Sequence, residues 1–160
     1  MTPKTRLTAT MEGDFVVFLI GMRINKPWLV HRWLSVVFAM GRMLKELKSK
    51  PELGFLHTEF WFGRTILLVQ YWRSMDHLMN YAKAKDAEHL PAWRRFNEAI
   101  GTDGSVGLWH ESYRVSPGQY ENVYVNMPAF GLGRAGVLRE AVDGRASAAG
   151  RLRANAGSER

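Results

Sequence analysis

Cysteine is missing from this 160-residue chain, and that absence excludes disulfides, thiolate metal centres, a cysteine nucleophile and thiolate-ligated haem together. A reducing, cytoplasmic setting fits it. Long hydrophobic runs are missing too. Phe15 to Met22 is apolar but too short to span a bilayer, follows Glu12 and Asp14, and leads to no small-residue cleavage site. Trp28 to Leu44 is longer, yet His31, Arg32 and Arg42 interrupt it, which is costly in lipid and cheap on a surface helix. Stable membrane insertion is therefore not expected. Acidic residues are the scarcer sign, 15 against 22 Lys and Arg, for a net charge of +7. From Phe130 onward six arginines face three acids, a net of +3, so the remaining +4 is scattered over the body. With no zinc-finger spacing and no aromatic RNA-binding signature, nucleic acid is not an expected partner; solubility and attraction for an anionic ligand account for the charge. Gly131-Leu-Gly133 lacks the strand-to-helix setting of a dinucleotide site, and no elbow motif or Ser-His-Asp order points to a hydrolase.

What is present is 46% hydrophobic content, enough for one well-filled core. Residues 14–24 are Phe-, Val- and Ile-rich with no polar interruption before Arg23, the mark of a strand buried on both faces. From Trp28 the period changes to that of a helix running through Leu47 and stopped at Ser49-Lys-Pro51. Phe55 to Phe62 and Thr65 to Trp72 are aromatic and β-branched runs joined at Gly63-Arg64, a hairpin signal. Ser74 is placed to cap a second helix, Pro91 to open a further one ending at Gly101, and Val106 to Val115 reads as a fourth strand. This βαββαβ order predicts an α+β, ferredoxin-like sheet with helices on one face. The other face is too apolar for water, so a homodimer that covers it, forming a dimeric α+β barrel with a ligand cavity, is the simplest expectation. The division expected is an N-terminal arm (1–13), a barrel domain (14–128), and a C-terminal extension (129–160), flexible after about 145. Tyr120 to Met127 is expected to add a short strand.

Five histidines stand in different settings. His89 precedes the helix that Pro91 opens, where the helix N-terminus favours a neutral ring, as a metal ligand or a base requires; packing on Trp93 is the plainer reading. His110 lies mid-strand, alternating onto one face with Ser112 and Arg114, opposite Trp109, Glu111 and Tyr113. Either face can line the cavity. His57 and Glu59 share a face with Phe55 and Trp61, while Gln70 lies on the next strand. With a distant histidine they can be written as an iron site, but a hydrogen-bonded pair is the simpler account.

The run Tyr71-Trp-Arg-Ser-Met-Asp-His-Leu78, then Glu88-His-Leu-Pro-Ala-Trp-Arg-Arg-Phe96, Gly107-Leu-Trp-His-Glu-Ser-Tyr113 and Tyr124-Val-Asn-Met-Pro-Ala-Phe-Gly-Leu-Gly-Arg134 resembles one family. It is similar to the monooxygenase-like proteins of the dimeric α+β barrel superfamily that include an oxygenase of fumagillin biosynthesis, long described as a domain of unknown function. The resemblance implies a homodimeric enzyme acting on a small hydrophobic or aromatic substrate, with a role in secondary metabolism. A more distant resemblance, to haem-containing aldoxime dehydratases, implies that His89 ligates haem b, that Arg95 pairs with a propionate, and that His110 with Ser112 handles protons. Without haem, as in other small barrel monooxygenases, His110 or His57 would deprotonate an activated phenol or enol, and the carbanion itself would reduce oxygen. Trp109, Tyr113, Trp61, Gln70 and Glu59 would then bind substrate. A non-enzymatic dimer binding haem or a lipophile is the remaining alternative.

Overall fold

The computed structural model describes residues 5–84, 94, 96, 101 and 103–157. Its strands and helices are β1 (Leu7–Thr10), β2 (Phe15–Ile24), α1 (Val30–Ser49), β3 (Phe55–Trp61), β4 (Thr65–Trp72), α2 (Met75–Lys83), β5 (Val106–Val115), α3 (Leu132–Ala135), β6 (Val137–Glu140) and α4 (Ala148–Ala156). Four strands pair antiparallel in the order β3-β4-β2-β5, so the first and third strands of the βαββαβ unit are central. That is the ferredoxin-like order, and the α+β expectation holds. Most of the helix placed after Pro91 lies outside the described residues, with only Arg94 and Phe96 described as helical, and His89 and Arg95 lie outside them too.

Alternation divides the sheet into two faces. Val16, Met22 and Ile24 of β2, Ile66, Leu68 and Trp72 of β4, and Val106 of β5 face the helices, where Leu47 of α1 and Leu78 and Tyr81 of α2 complete the core. Local signals explain the helix ends. The Ser74 hydroxyl accepts from the His77 amide, capping α2, and Gly54, at φ +77°, turns the chain into β3. His77 is half-buried against that turn, because no side chain on Gly54 holds it off.

The opposite, outer face carries rows that read across the strands. Trp109, Gly21, Leu67 and Trp61 form one row; Glu111, Leu19, Val69 and Glu59 the next; Tyr113, Val17, Tyr71 and His57 the third. Gly21 is required here, since a Cβ would meet the Trp109 indole nitrogen at 2.6 Å and the Ile66 carbonyl at 2.8 Å. The indole thus lies across the central strand.

Both ends of the chain return to cover part of this outer face. β1 pairs with β6, and Ala9, Phe15 and Leu132 form a third cluster with Tyr71, Tyr120 and Tyr124 packed around it. Tyr120 to Met127 is not the strand expected, because only Tyr124 bridges, to Leu7. The tail also differs from expectation. Residues 148–156 form α4, whose Arg151 and Asn155 are buried: Arg151 binds Glu121 and the Arg145 and Ala146 carbonyls, and Asn155 donates to the Tyr120 carbonyl. Polar side chains, rather than apolar ones, dock it.

Candidate functional site

The residues singled out in the sequence fall on both faces. His110, Ser112 and Gln70 lie on the helix side, where Ile20 pairs with His110 and Phe18 with both Ser112 and Gln70. His57, Glu59, Trp61, Trp109 and Tyr113 lie on the outer side. One expected neighbour is misplaced. A β-bulge between Phe55 and His57 turns Phe55 to the helix side, so it does not share a face with His57 and Glu59.

On the helix side a small cavity of about 60 Å³ lies among Phe18, Met43, Leu44, Leu68 and Gln70. Gln70 is buried and accepts a 2.9 Å hydrogen bond from the Trp72 indole. His110 and Ser112 are exposed on the edge strand, and neither is hydrogen-bonded among the described residues. His110 only leans on Phe18, with ring centroids 5.8 Å apart. The burial that would oblige this pair to find polar partners is absent.

The outer side holds the more organised constellation. His57 Nε2 lies 3.0 Å from Glu59 Oε1, with both side chains largely enclosed. The same oxygen accepts the Gly131 amide at 2.8 Å. Burial pushes the Glu59 carboxyl up, but the Gly131 amide, His57 and Arg134 outweigh it and hold the group below the ordinary glutamate range. Beside the pair opens a groove of about 340 Å³, lined by Trp61, Tyr71, Tyr124, Phe130 and the Glu59 carboxylate among others. That volume falls within the roughly 300–1,000 Å³ of small-molecule sites.

Phe130 stands edge-on to Trp61 at 5.9 Å, and the Gly133 amide donates to the Tyr124 hydroxyl at 2.9 Å. The Phe130 to Gly136 segment is therefore a cover laid on its own chain's outer face. Gly131 stands at φ +54°, where glycine is favoured, and a Cβ there would press on the Tyr71 hydroxyl at 3.1 Å. Burial, with Tyr124 and Glu59 nearby, raises the Tyr71 phenol above its ordinary range against an opposing contribution from the Leu132 amide. Burial likewise raises Tyr124. Both stay protonated. Sequence reasoning missed these two phenols, although alternation from Leu67 and Val69 places Tyr71 on the outer face. The fold of the extension, which brings Tyr124 there, has no such local signal.

The outer-face residues do not all meet. Trp109 and Tyr113 stand on the far edge strand, with Tyr113 half exposed and its hydroxyl turned to Glu111, while Trp61, Glu59 and His57 occupy the opposite edge. Between them lies an apolar floor of Leu19, Leu67 and Val69.

The sequence pattern of the monooxygenase af470-like family matches residues 15–132. The chain belongs to this family. Its relative monooxygenase af470 of Aspergillus fumigatus is 29% identical over 136 residues, covering 79% of this chain and 48% of that protein. The chain therefore spans about half the length of the curated relative it matches. Among solved structures, SnoaB, a cofactor-independent oxygenase from Streptomyces nogalater, aligns at TM-score 0.45 and 13% identity over 62% of this chain and 91% of that one. A dimeric ferredoxin-like protein of unknown function from Bacteroides fragilis aligns at TM-score 0.44 and 16% identity, over 62% and 96%.

Nothing among the described residues supports a haem site. The helix-side cavity, at about 60 Å³, is far below the space a porphyrin needs, and the expected ligand His89 lies outside the described residues. Among the described residues no three His, Asp or Glu side chains gather as a metal site, which leaves His57 and Glu59 as a hydrogen-bonded pair. Nor is any described helix long and apolar enough to cross a membrane.

Proposed function

We propose that this chain is a cofactor-independent monooxygenase that holds a hydrophobic, enolisable or phenolic substrate against the outer face of its sheet, with His57 as the base. The observation that carries the reading is the His57–Glu59 pair, 3.0 Å apart, whose Glu59 lines an aromatic groove and whose His57 stands one row along the sheet beside Tyr71. A carboxylate kept ionised beside one ring nitrogen orients the imidazole and stabilises the imidazolium that forms when the other nitrogen takes a proton. Membership of a family named for a monooxygenase supports the oxygen chemistry.

His57 removes a proton from an activated methylene, and the resulting conjugated carbanion passes one electron to dioxygen. The radical pair combines, forming a C–O bond, and the peroxide recovers the proton from His57. Loss of water from the hydroperoxide then leaves a carbonyl, so that CH2 and O2 become C=O and H2O. The substrate supplies all four electrons that reduce dioxygen. A second copy of the chain, laid over Leu19, Leu67 and Val69, excludes bulk water from the reacting face.

Anthrone, an enolisable tricycle with one acidic methylene, provides the test. Purified protein without a Soret band is expected to consume oxygen with it, and His57→Ala to lower kcat by about 10²–10⁴-fold. His110→Ala is expected to leave the rate near that of the native chain. Loss of turnover in the His110 variant with His57→Ala unaffected would move the base to the helix side and overturn the reading. A Soret-absorbing preparation whose activity depends on added haem would do the same.

A further inference from the structure

We infer that Tyr71 and Tyr124 form a two-hydroxyl clamp in the groove that donates hydrogen bonds to a carbonyl or enolate oxygen on a flat aromatic ligand. The inference rests on the groove being the substrate site and adds the substrate class: a planar polycycle bearing an oxygen on the edge that enters beneath Phe130.

A phenol oxygen can accept and its hydrogen can donate, and here the two roles are separable. The Tyr124 oxygen accepts the Gly133 amide. The Tyr71 oxygen is approached by the Leu132 amide and lies against Gly131, where the positive φ favours glycine. Neither phenol donates a hydrogen bond to an acceptor among the described residues. Both side chains are half-buried and line the groove. Two half-buried phenols therefore line one groove with hydroxyl hydrogens that no protein acceptor among the described residues uses, and both are available to an acceptor bound there.

Tyr120, the third tyrosine of the cluster, is a useful contrast. Its hydroxyl accepts from the Met11 amide and donates to the Met11 carbonyl, so it has nothing to offer a ligand. The rest of the groove suits a flat ring. Trp61 and Phe130 give it an aromatic edge, Leu132 and Val17 an apolar floor. As negative charge develops on a substrate oxygen during deprotonation, hydrogen bonds from two protonated phenols strengthen, which lowers the barrier His57 faces.

9-Fluorenone and fluorene are matched probes, a planar tricycle with and without the carbonyl. The native chain is expected to bind fluorenone more tightly than fluorene, with its C=O stretching band shifted to lower wavenumber on binding. Tyr71→Phe and Tyr124→Phe should each reduce that preference about three- to tenfold, the range of one neutral hydrogen bond, and move the band back. Tyr71→Phe carries the test alone if the second variant is poorly folded, since its hydroxyl donates to no protein group. Equal affinity for the two probes, no binding of either, or a preference and a band that both variants leave unchanged would overturn the clamp. Because binding needs no turnover, His57→Ala should keep the fluorenone preference. A failed base assignment therefore appears in oxygen uptake, and a failed clamp in the probe ratio.

Discussion

Glu59 is the residue at which function and folding meet. One of its oxygens receives both His57 and the Gly131 amide, so it orients the base and also fastens the Phe130 to Gly136 segment to the sheet. Its carboxyl titrates below the ordinary range, which means the folded state favours the ionised form. The stability this contributes is present above the glutamate pKa of the unfolded chain and is lost as pH falls through the lower, folded value. Thermal melting followed from neutral to acid pH should show a decline over that interval, and Glu59→Gln should flatten it while lowering turnover. An unchanged acid limb in the variant would show that the pair contributes nothing there. His57 and Glu59 were readable as a pair from their spacing, but the bulge that removed Phe55 from their face was not. Bulges have no fixed residue signature, and strict alternation is the natural assumption.

At the scale of elements, β2 to β5 and the first two helices were legible because hydrophobic period, turn residues and the Ser74 cap agree on them. The C-terminal helix was not. Its sequence offers mainly alanine, arginine and serine, and what docks it is a buried arginine meeting Glu121 and two backbone carbonyls. A polar anchor of this kind is invisible to a search for apolar stripes. Its removal should be felt: Arg151→Ala deletes the buried anchor and its charged hydrogen bonds but leaves Glu121 in contact with water, and should cost about 1.5–3 kcal/mol in urea denaturation, the range for a hydrogen bond to a charged group. If only α4 detaches, limited proteolysis will cut after residue 145 while the main transition is preserved.

For the whole molecule, the apolar outer face is the feature that composition foretold and a single chain only half resolves. The extension covers one end, around Phe15 and Leu132, and leaves Leu19, Leu67 and Val69 as a floor between Trp109 and Trp61. A second copy facing this floor would turn two open sheets into one closed chamber. Val69→Asp places a charge at its centre and should convert the sedimenting species from dimer to monomer, with loss of anthrone-dependent oxygen uptake. A variant that sediments as the native chain does would place the contact elsewhere. The basic surface, legible from the start, carries no such commitment, since its charges are dispersed.

The β1–β6 ribbon has a mechanical side. Leu7 pairs with Glu140 and Thr10 with Val137, so both strands lead outward from the Leu7–Glu140 end. Once α4 has been released, tension applied at Leu7 and Glu140 would load the ribbon as a zipper, breaking one cross-strand pair at a time, rather than shearing all four together. α3 and the segment over the groove run directly into β6, so they would be pulled from the sheet next, while the four-stranded sheet still held. The cover over the groove thus lies in the load path ahead of the four-stranded sheet, and lifting it opens the Ala9, Phe15 and Leu132 cluster while the helix-side core stays closed.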